Sequence, residues 1–186
     1  MIYGKRVRLR RIERQDLPHF VAWLNDSEVR EGLAMLHPLS LVQEEDWFAA
    51  TLKLEAAAQP FSIDARVAAA GTETASAAEW THIGSLGFHS VDWRNRWAEL
   101  GICIGNKSFW SAGYGSDAVR TLLAWGFREL NLNRVWLKVF ENNSRAIGCY
   151  EKVGFQHEGR FRQDRFHAGR YWDTLVMGLL RDEFGP

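Results

Sequence analysis

The chain has 186 residues, 46% of them hydrophobic and 13% aromatic, enough for one domain over residues 1–186 that buries a full core without disulfide or metal staples. Lysine plus arginine and aspartate plus glutamate balance at 23 each, so no net field recruits nucleic acid or an anionic membrane. Cys103 and Cys149 fall on different predicted elements and outside any CxxC or Cys/His metal spacing; with no targeting segment and no membrane-length apolar run, this predicts a cytoplasmic protein without a metal centre.

Lys5 to Arg11 alternates as a first strand, and Leu17, Phe20, Val21 and Leu24 mark a helical face. Ser40-Leu41-Val42-Gln43 has the form of a capping box, which starts a second helix. Glu44, Glu45 and Asp46 then lie where negative charge suits the helix dipole; the alternative is a role in binding a cationic substrate. Phe61 to Val67 and His82 to His89 read as strands, joined by a small, polar, aperiodic loop from Ala68 to Glu79.

Trp97 to Gly105 alternates again, with Ala98, Leu100, Ile102 and Ile104 on one face and Glu99, Gly101 and Cys103 on the other. Gly113 and Gly115 follow, directly ahead of a helix whose face is Val119, Leu122, Leu123, Gly126, Phe127 and Leu130. Arg134 to Phe140 is a further strand. Asn142-Asn143-Ser144 starts a short helix through Ile147, Tyr150 and Val153, which Gly154 ends in the left-handed conformation. An aromatic-rich hairpin from Gly159 through Arg170 to Leu180 closes the chain.

Strand, glycine-rich loop and helix make a phosphate-binding arrangement. Glycines let successive N–H groups turn toward an anion, and the helix dipole adds to the attraction. An ordinary turn before a core helix is the alternative. A P-loop needs lysine directly after its last glycine, and here Ser116 and Asp117 stand there.

AELGI on the strand, WSAGYGSDAV at the loop, NNSRAIGCYEKVGF at the second helix and the ending EGRFRQDRFHAGRYWDTLVMGLLRDEF resemble the GNAT superfamily of N-acetyltransferases, in its RimJ/RimL-like branch. The resemblance runs from Ile83 to Phe184, and KRVRLRRIERQDLPHFVAWLND looks like the family's first strand and helix. It implies an α+β (α/β) fold, a mixed, mostly antiparallel central sheet flanked by helices on both faces, and transfer of an acetyl group from acetyl-CoA to an amine.

By the same resemblance, backbone groups of Ile102, Cys103 and Ile104 hold the pantetheine arm, and N–H groups from Ser111, Ala112, Gly113, Tyr114, Gly115 and Ser116 hold the diphosphate. Trp110 is not counted as a phosphate ligand. Glu99 is the candidate base, because an attacking amine must be neutral; a solvated or substrate-binding carboxylate is its alternative. Tyr150 is the candidate acid at the departing sulfur, or else a core tyrosine. Asn143 caps its helix, binds cofactor and substrate, or both. His37 and His89 are lone histidines near element ends, read as surface or structural, and Trp125, Trp136 and Trp172 are read as core or interface.

The acceptors the resemblance allows are a protein N-terminal amine, a polyamine, or another small amine such as an amino acid or an aminoglycoside-like amine, with no nucleic-acid or membrane partner expected. A homodimer is expected through the C-terminal hairpin, whose alternating positions include Trp172, Thr174 and Val176. The competing reading is a noncatalytic acyl-CoA-binding or regulatory module with the same fold.

Overall fold

A computed structural model describes residues 1–67 and 79–185. One sheet runs through them in the order β1-β2-β3-β4-β5-β6-β8-β7. Its strands are β1 (Ile2–Tyr3), β2 (Val7–Arg11), β3 (Phe61–Val67), β4 (Glu79–Asp92), β5 (Trp97–Ile104), β6 (Arg134–Phe140), β7 (Gln156–His167) and β8 (Arg170–Leu180). Every neighbouring pair is antiparallel except β5 and β6. Those two are joined by helix α4 (Tyr114–Arg128), the crossover that a parallel pair requires.

Alternation along β2 and β3 sets the two faces. Val7, Leu9, Phe61, Ile63 and Ala65 enter the main core, with Val119, Leu122 and Leu123 of α4 and with Tyr150 and Val153 of α5 (Ser144–Val153). Trp125 lies parallel to Phe88 at 6.2 Å and edge-on to Phe61 at 5.4 Å, so it is a core residue. The alternate residues Arg8, Arg10, Ser62 and Asp64 face the other way, toward helix α1 (Leu17–Leu24). There Arg10 grips Asp16 bidentately at 2.7 and 2.8 Å, donates to Asp64 at 2.9 Å, and Ser62 adds a bond to Asp16 at 3.0 Å. Buried charge persists on this face because nearly every oxygen is paired.

A smaller cluster of Ile12, Leu17 and Phe20, with Trp23, Leu24 and Phe48 against it, joins α1 to α3 (Leu41–Thr51). Ser40 and Gln43 close the anticipated capping box at the start of α3. Asp26 caps the one-turn α2 (Ser27–Arg30), which the sequence reading did not anticipate. Gly154 ends α5 at φ +116°, as expected of a residue without a Cβ.

Some sequence expectations need correction. Residues 68–78 of the anticipated loop lie outside the described residues, and Glu79, placed at its end, opens β4. Gly115 sits inside the first turn of α4 and not ahead of it; Gly113 alone is the N-cap. Thr174, assigned to a docking face, is 1% exposed and points inward, which removes it from any such face.

Candidate active site

The cleft arises where β5 and β6 part. Parallel pairing holds only Trp97, Ala98 and Glu99 to Arg134, Val135 and Trp136; from Leu100 onward β5 has no β6 partner. A cavity of about 1140 Å³ fills the gap and extends toward α1 and α3.

The exposed edge of β5 has a definite phase. Gly105 N–H donates to Ile83 O at 2.9 Å, which makes Gly84 and Ile104 a non-hydrogen-bonded pair of the β4–β5 ladder. Ile104 and Ile102 therefore turn their N–H and C=O groups toward the gap, while those of Cys103 and Gly101 face β4. The Ile104 carbonyl is taken by the Trp110 indole N–H at 2.6 Å. The Ile102 N–H and C=O groups find no partner among the described residues at the splay, and Cys103, grouped with Ile102 from sequence, contributes a side chain only. Burial pushes the Cys103 thiol up to about 12, so it remains a neutral wall.

The glycine loop closes one end. Ser111 (φ +56°) and Gly113 (φ +86°) are both left-handed, a sequence of turns that aims neighbouring amides the same way. The first intrahelical bond of α4 is from Asp117 N–H to Gly113 O, so the N–H groups of Tyr114, Gly115 and Ser116 find no acceptor among the described residues. Three unpaired donors at the positive end of a 15-residue helix fit a diphosphate. Arg6 fixes the loop by donating to Ala112 O at 2.6 Å and covering the Tyr114 ring at 4.0 Å. The Asp117 carboxylate is committed to the backbone N–H groups of Lys5, Arg6 and Val7, so it does not repel an anion freely. The Ala112 carbonyl and the Tyr114 ring thus support the loop, while Ser111, Gly113, Gly115 and Ser116 line the cavity.

Tyr150 comes from α5 and is 6% exposed, its ring edge-on to Phe155. Its hydroxyl makes no hydrogen bond to any described residue while the residue lines the cleft. Burial raises its pKa, with Cys149 and Cys103 adding to the effect, so the phenol is a proton donor at every ordinary pH. Asn143 caps α5 by accepting from Ala146 N–H at 3.1 Å and also borders the cavity, so capping and lining coexist.

Glu99 lines the cleft at the last residue paired to β6. His89 accompanies it. The β4–β5 register slips between Phe88 and Ser90, and His89 is the extra residue. Its imidazole covers Gly101 so closely that a Cβ there would lie 1.8 Å from Nε2, which places ring and Glu99 carboxyl on the same face of β5. Sequence reasoning treated His89 as structural because a bulge leaves no local signature. Arg145, also missed, lines the cavity with its guanidinium 3.4 Å from the centre of the Trp110 ring. His37 is exposed and outside the cavity lining, in keeping with a surface role. No group of metal-ligating side chains occurs among the described residues.

A splayed parallel pair, free edge groups on β5 and a donor-rich helix start beside it define a CoA-dependent acyltransferase. The Acetyltransferase (GNAT) domain family matches residues 6–156, and the chain belongs to that family. It is 31% identical over 185 residues to the uncharacterized N-acetyltransferase p20 of Bacillus licheniformis, across 98% of this chain and 97% of the relative. A shorter match, 29% identical over 102 residues, is to spermidine N(1)-acetyltransferase of Vibrio cholerae, spanning 55% of this chain and 58% of that one. In structure it is similar to the Vibrio cholerae spermidine N-acetyltransferase crystallised with CoA and spermine, with a TM-score of 0.83 at 23% identity over 97% of this chain and 98% of the other. The GNAT acetyltransferase of Bacillus anthracis gives 0.78 at 21% identity, over 98% and 99%. At these identities the structural likeness speaks for the fold. Family membership makes the protein an N-acetyltransferase with acetyl-CoA as co-substrate.

Proposed function

We propose that the protein acetylates a primary amine of a small molecule by direct attack of the neutral amine on the thioester. The observation that carries this reading is the single cleft in which Tyr150, with an unpartnered hydroxyl, and Glu99 both line the gap beside the free edge of Ile102. Acetyl-CoA supplies the activated acetyl group. The N–H groups of Tyr114, Gly115 and Ser116 hold its diphosphate, and the outward groups of Ile102 hold the pantetheine arm and polarise the carbonyl.

Glu99 removes the amine proton directly or through water, with His89 beside it as a second acceptor. Tyr150 Oη gives its proton to the departing sulfur. A hydroxyl without a protein partner and open to the cleft stands free to donate to the departing sulfur, which favours turnover over a noncatalytic acyl-CoA-binding module. The spermidine N-acetyltransferase relatives favour a small amine over a protein N-terminus. Mass spectrometry of products from parallel reactions with small amines and with short peptides tests this; acetylation confined to the peptides contradicts it.

In this reading the chain works as one cytoplasmic domain of the RimJ/RimL-like branch and pairs as a homodimer. Phe161, Phe166 and Tyr171, all 48–62% exposed on the C-terminal hairpin, support such a surface. Light scattering at the chain's own 21.4 kDa across micromolar concentrations would refute the dimer.

A further inference from the structure

One wall of the cleft comes from the irregular segment that follows α2, where Gly32, Leu33, Ala34 and Met35 all border the cavity. Little of its own holds that segment. The N–H groups of Gly32 and Leu33 bond back to the carbonyls of Val29 and Arg30, and Arg30 reaches Met35 O at 3.4 Å, so these bonds are local to α2. Against α5 it makes a packing contact, a Cβ on Gly32 lying 2.8 Å from Asn143 Nδ2. Among the described residues, the hydrogen bonds that tie residues 31–38 to a distant element come from one side chain. Arg165 donates from Nη1 to Glu31 O at 2.7 Å and from Nη2 to Leu33 O at 2.9 Å, across 134 and 132 positions of sequence.

A distortion of the C-terminal hairpin makes that reach. Phe161 pairs with Thr174 and Arg165 with Trp172, so Arg162, Gln163 and Asp164 stand opposite Asp173 alone. Gln163 takes φ +52° there and donates its N–H to the Asp173 carboxylate at 2.8 Å, which fixes the bulge. Bulges re-aim the side chains beside them. Asp164 borders the cavity, and the Arg165 guanidinium lies over the Phe140 ring at 3.8 Å from its centre.

Arg165 itself is not part of the cavity lining. What it contributes to the reaction therefore passes through the wall it holds. A planar fork that binds two carbonyls at once, and is itself seated on an aromatic ring, keeps the wall from sliding unless both bonds break together.

We infer that Arg165 is a positioning residue for the acceptor: it holds residues 31–35 where an incoming amine meets them. This rests on the reading of the cleft as an amine-acetylating site. The diphosphate loop and Ile102 lie on other elements, so acetyl-CoA binding does not depend on this wall. A wall in place for only a fraction of the time lowers the apparent affinity for the acceptor by that same fraction.

Steady-state kinetics on Arg165→Met and Arg165→Lys, with the best amine of a panel, separate KM from kcat, and calorimetry reads acetyl-CoA affinity. Arg165→Met should raise the amine KM by at least about tenfold, with kcat within about twofold and acetyl-CoA affinity unchanged. Arg165→Lys, which can keep one of the two bonds, should fall between. Amide hydrogen exchange should speed up across residues 31–39 of Arg165→Met, while α4 and β8 keep wild-type protection. An unchanged amine KM in Arg165→Met overturns the inference. So does a loss of acetyl-CoA affinity and melting temperature in step with KM, which marks a residue that merely supports the fold. Should the wild type acetylate no amine, the transferase reading fails and exchange alone decides: faster exchange confined to residues 31–39 leaves the Arg165 contact as the holder of the wall, and unaltered exchange there overturns it.

Discussion

Burial and chemistry coincide at Tyr150. The apolar surroundings that raise its pKa also guarantee that the proton is present when the thiolate leaves, so no prior protonation from solvent is needed. Tyr150→Phe keeps the ring and its packing on Phe155 and deletes only the donor. Turnover should fall by about ten- to a thousandfold with acetyl-CoA affinity and melting temperature near wild type, as befits a group acting mainly in the transition state. Steady-state kinetics with a parallel binding measurement check it, and full turnover would return Tyr150 to a packing role. Glu99→Gln should lower the rate most near neutral pH and recover partly at high pH, where more amine is already neutral. A pH–rate profile of wild-type shape and height would move the proton to His89, whose ring shares that face of β5.

At the scale of elements, the glycine loop divides its labour. Gly113 holds φ +86°, so Gly113→Ala should cost about 1–2 kcal/mol in strain and turn the amides away from the diphosphate. Gly115 is helical, and a Cβ there would meet Cys149 and Ile104 at ordinary contact distances of 3.7 and 3.8 Å. Gly115→Ala should therefore keep its stability. Thermal melts and acetyl-CoA calorimetry on the pair distinguish them; equal stability loss in both would refute the division.

Elements with strong local signals were legible: the capping box at Ser40, the strand from Phe61, the strand from Arg134 and the cap at Asn143 all occur at the expected residues. The parting of β5 from β6 was not, since it depends on partners distant in the chain; AELGICI alternates through it undisturbed. The inward turn of Glu44 had a faint signal. It shares a helical face with Trp47, Phe48 and Thr51, but the dipole offered a sufficient local reason for an acid there.

For the molecule as a whole, the Arg10 network ties α1 to the sheet and makes stability depend on acid. Burial, the largest influence on Asp16, would raise its carboxyl, yet the Arg10 guanidinium and the Glu13 N–H outweigh it and hold the group at about 2 against its ordinary 3.8. A depressed carboxyl stabilises fully above the unfolded value and loses that contribution as pH falls toward the folded one. The contribution is about 2 kcal/mol and should vanish between about pH 4 and pH 2. Urea midpoints measured down that range should drop in the wild type and lose this part of their slope in Asp16→Asn. Equal slopes would show that the network does not set acid stability.

The cleft at the β5–β6 splay is the centre of the account, and amine-dependent release of thiol from acetyl-CoA measures it most directly. With a panel of small amines, the account predicts at least one that releases CoA well above the hydrolytic background, with one N-acetylated product formed for each thiol. Tight binding of acetyl-CoA with thiol release no faster than hydrolysis for every amine would contradict it.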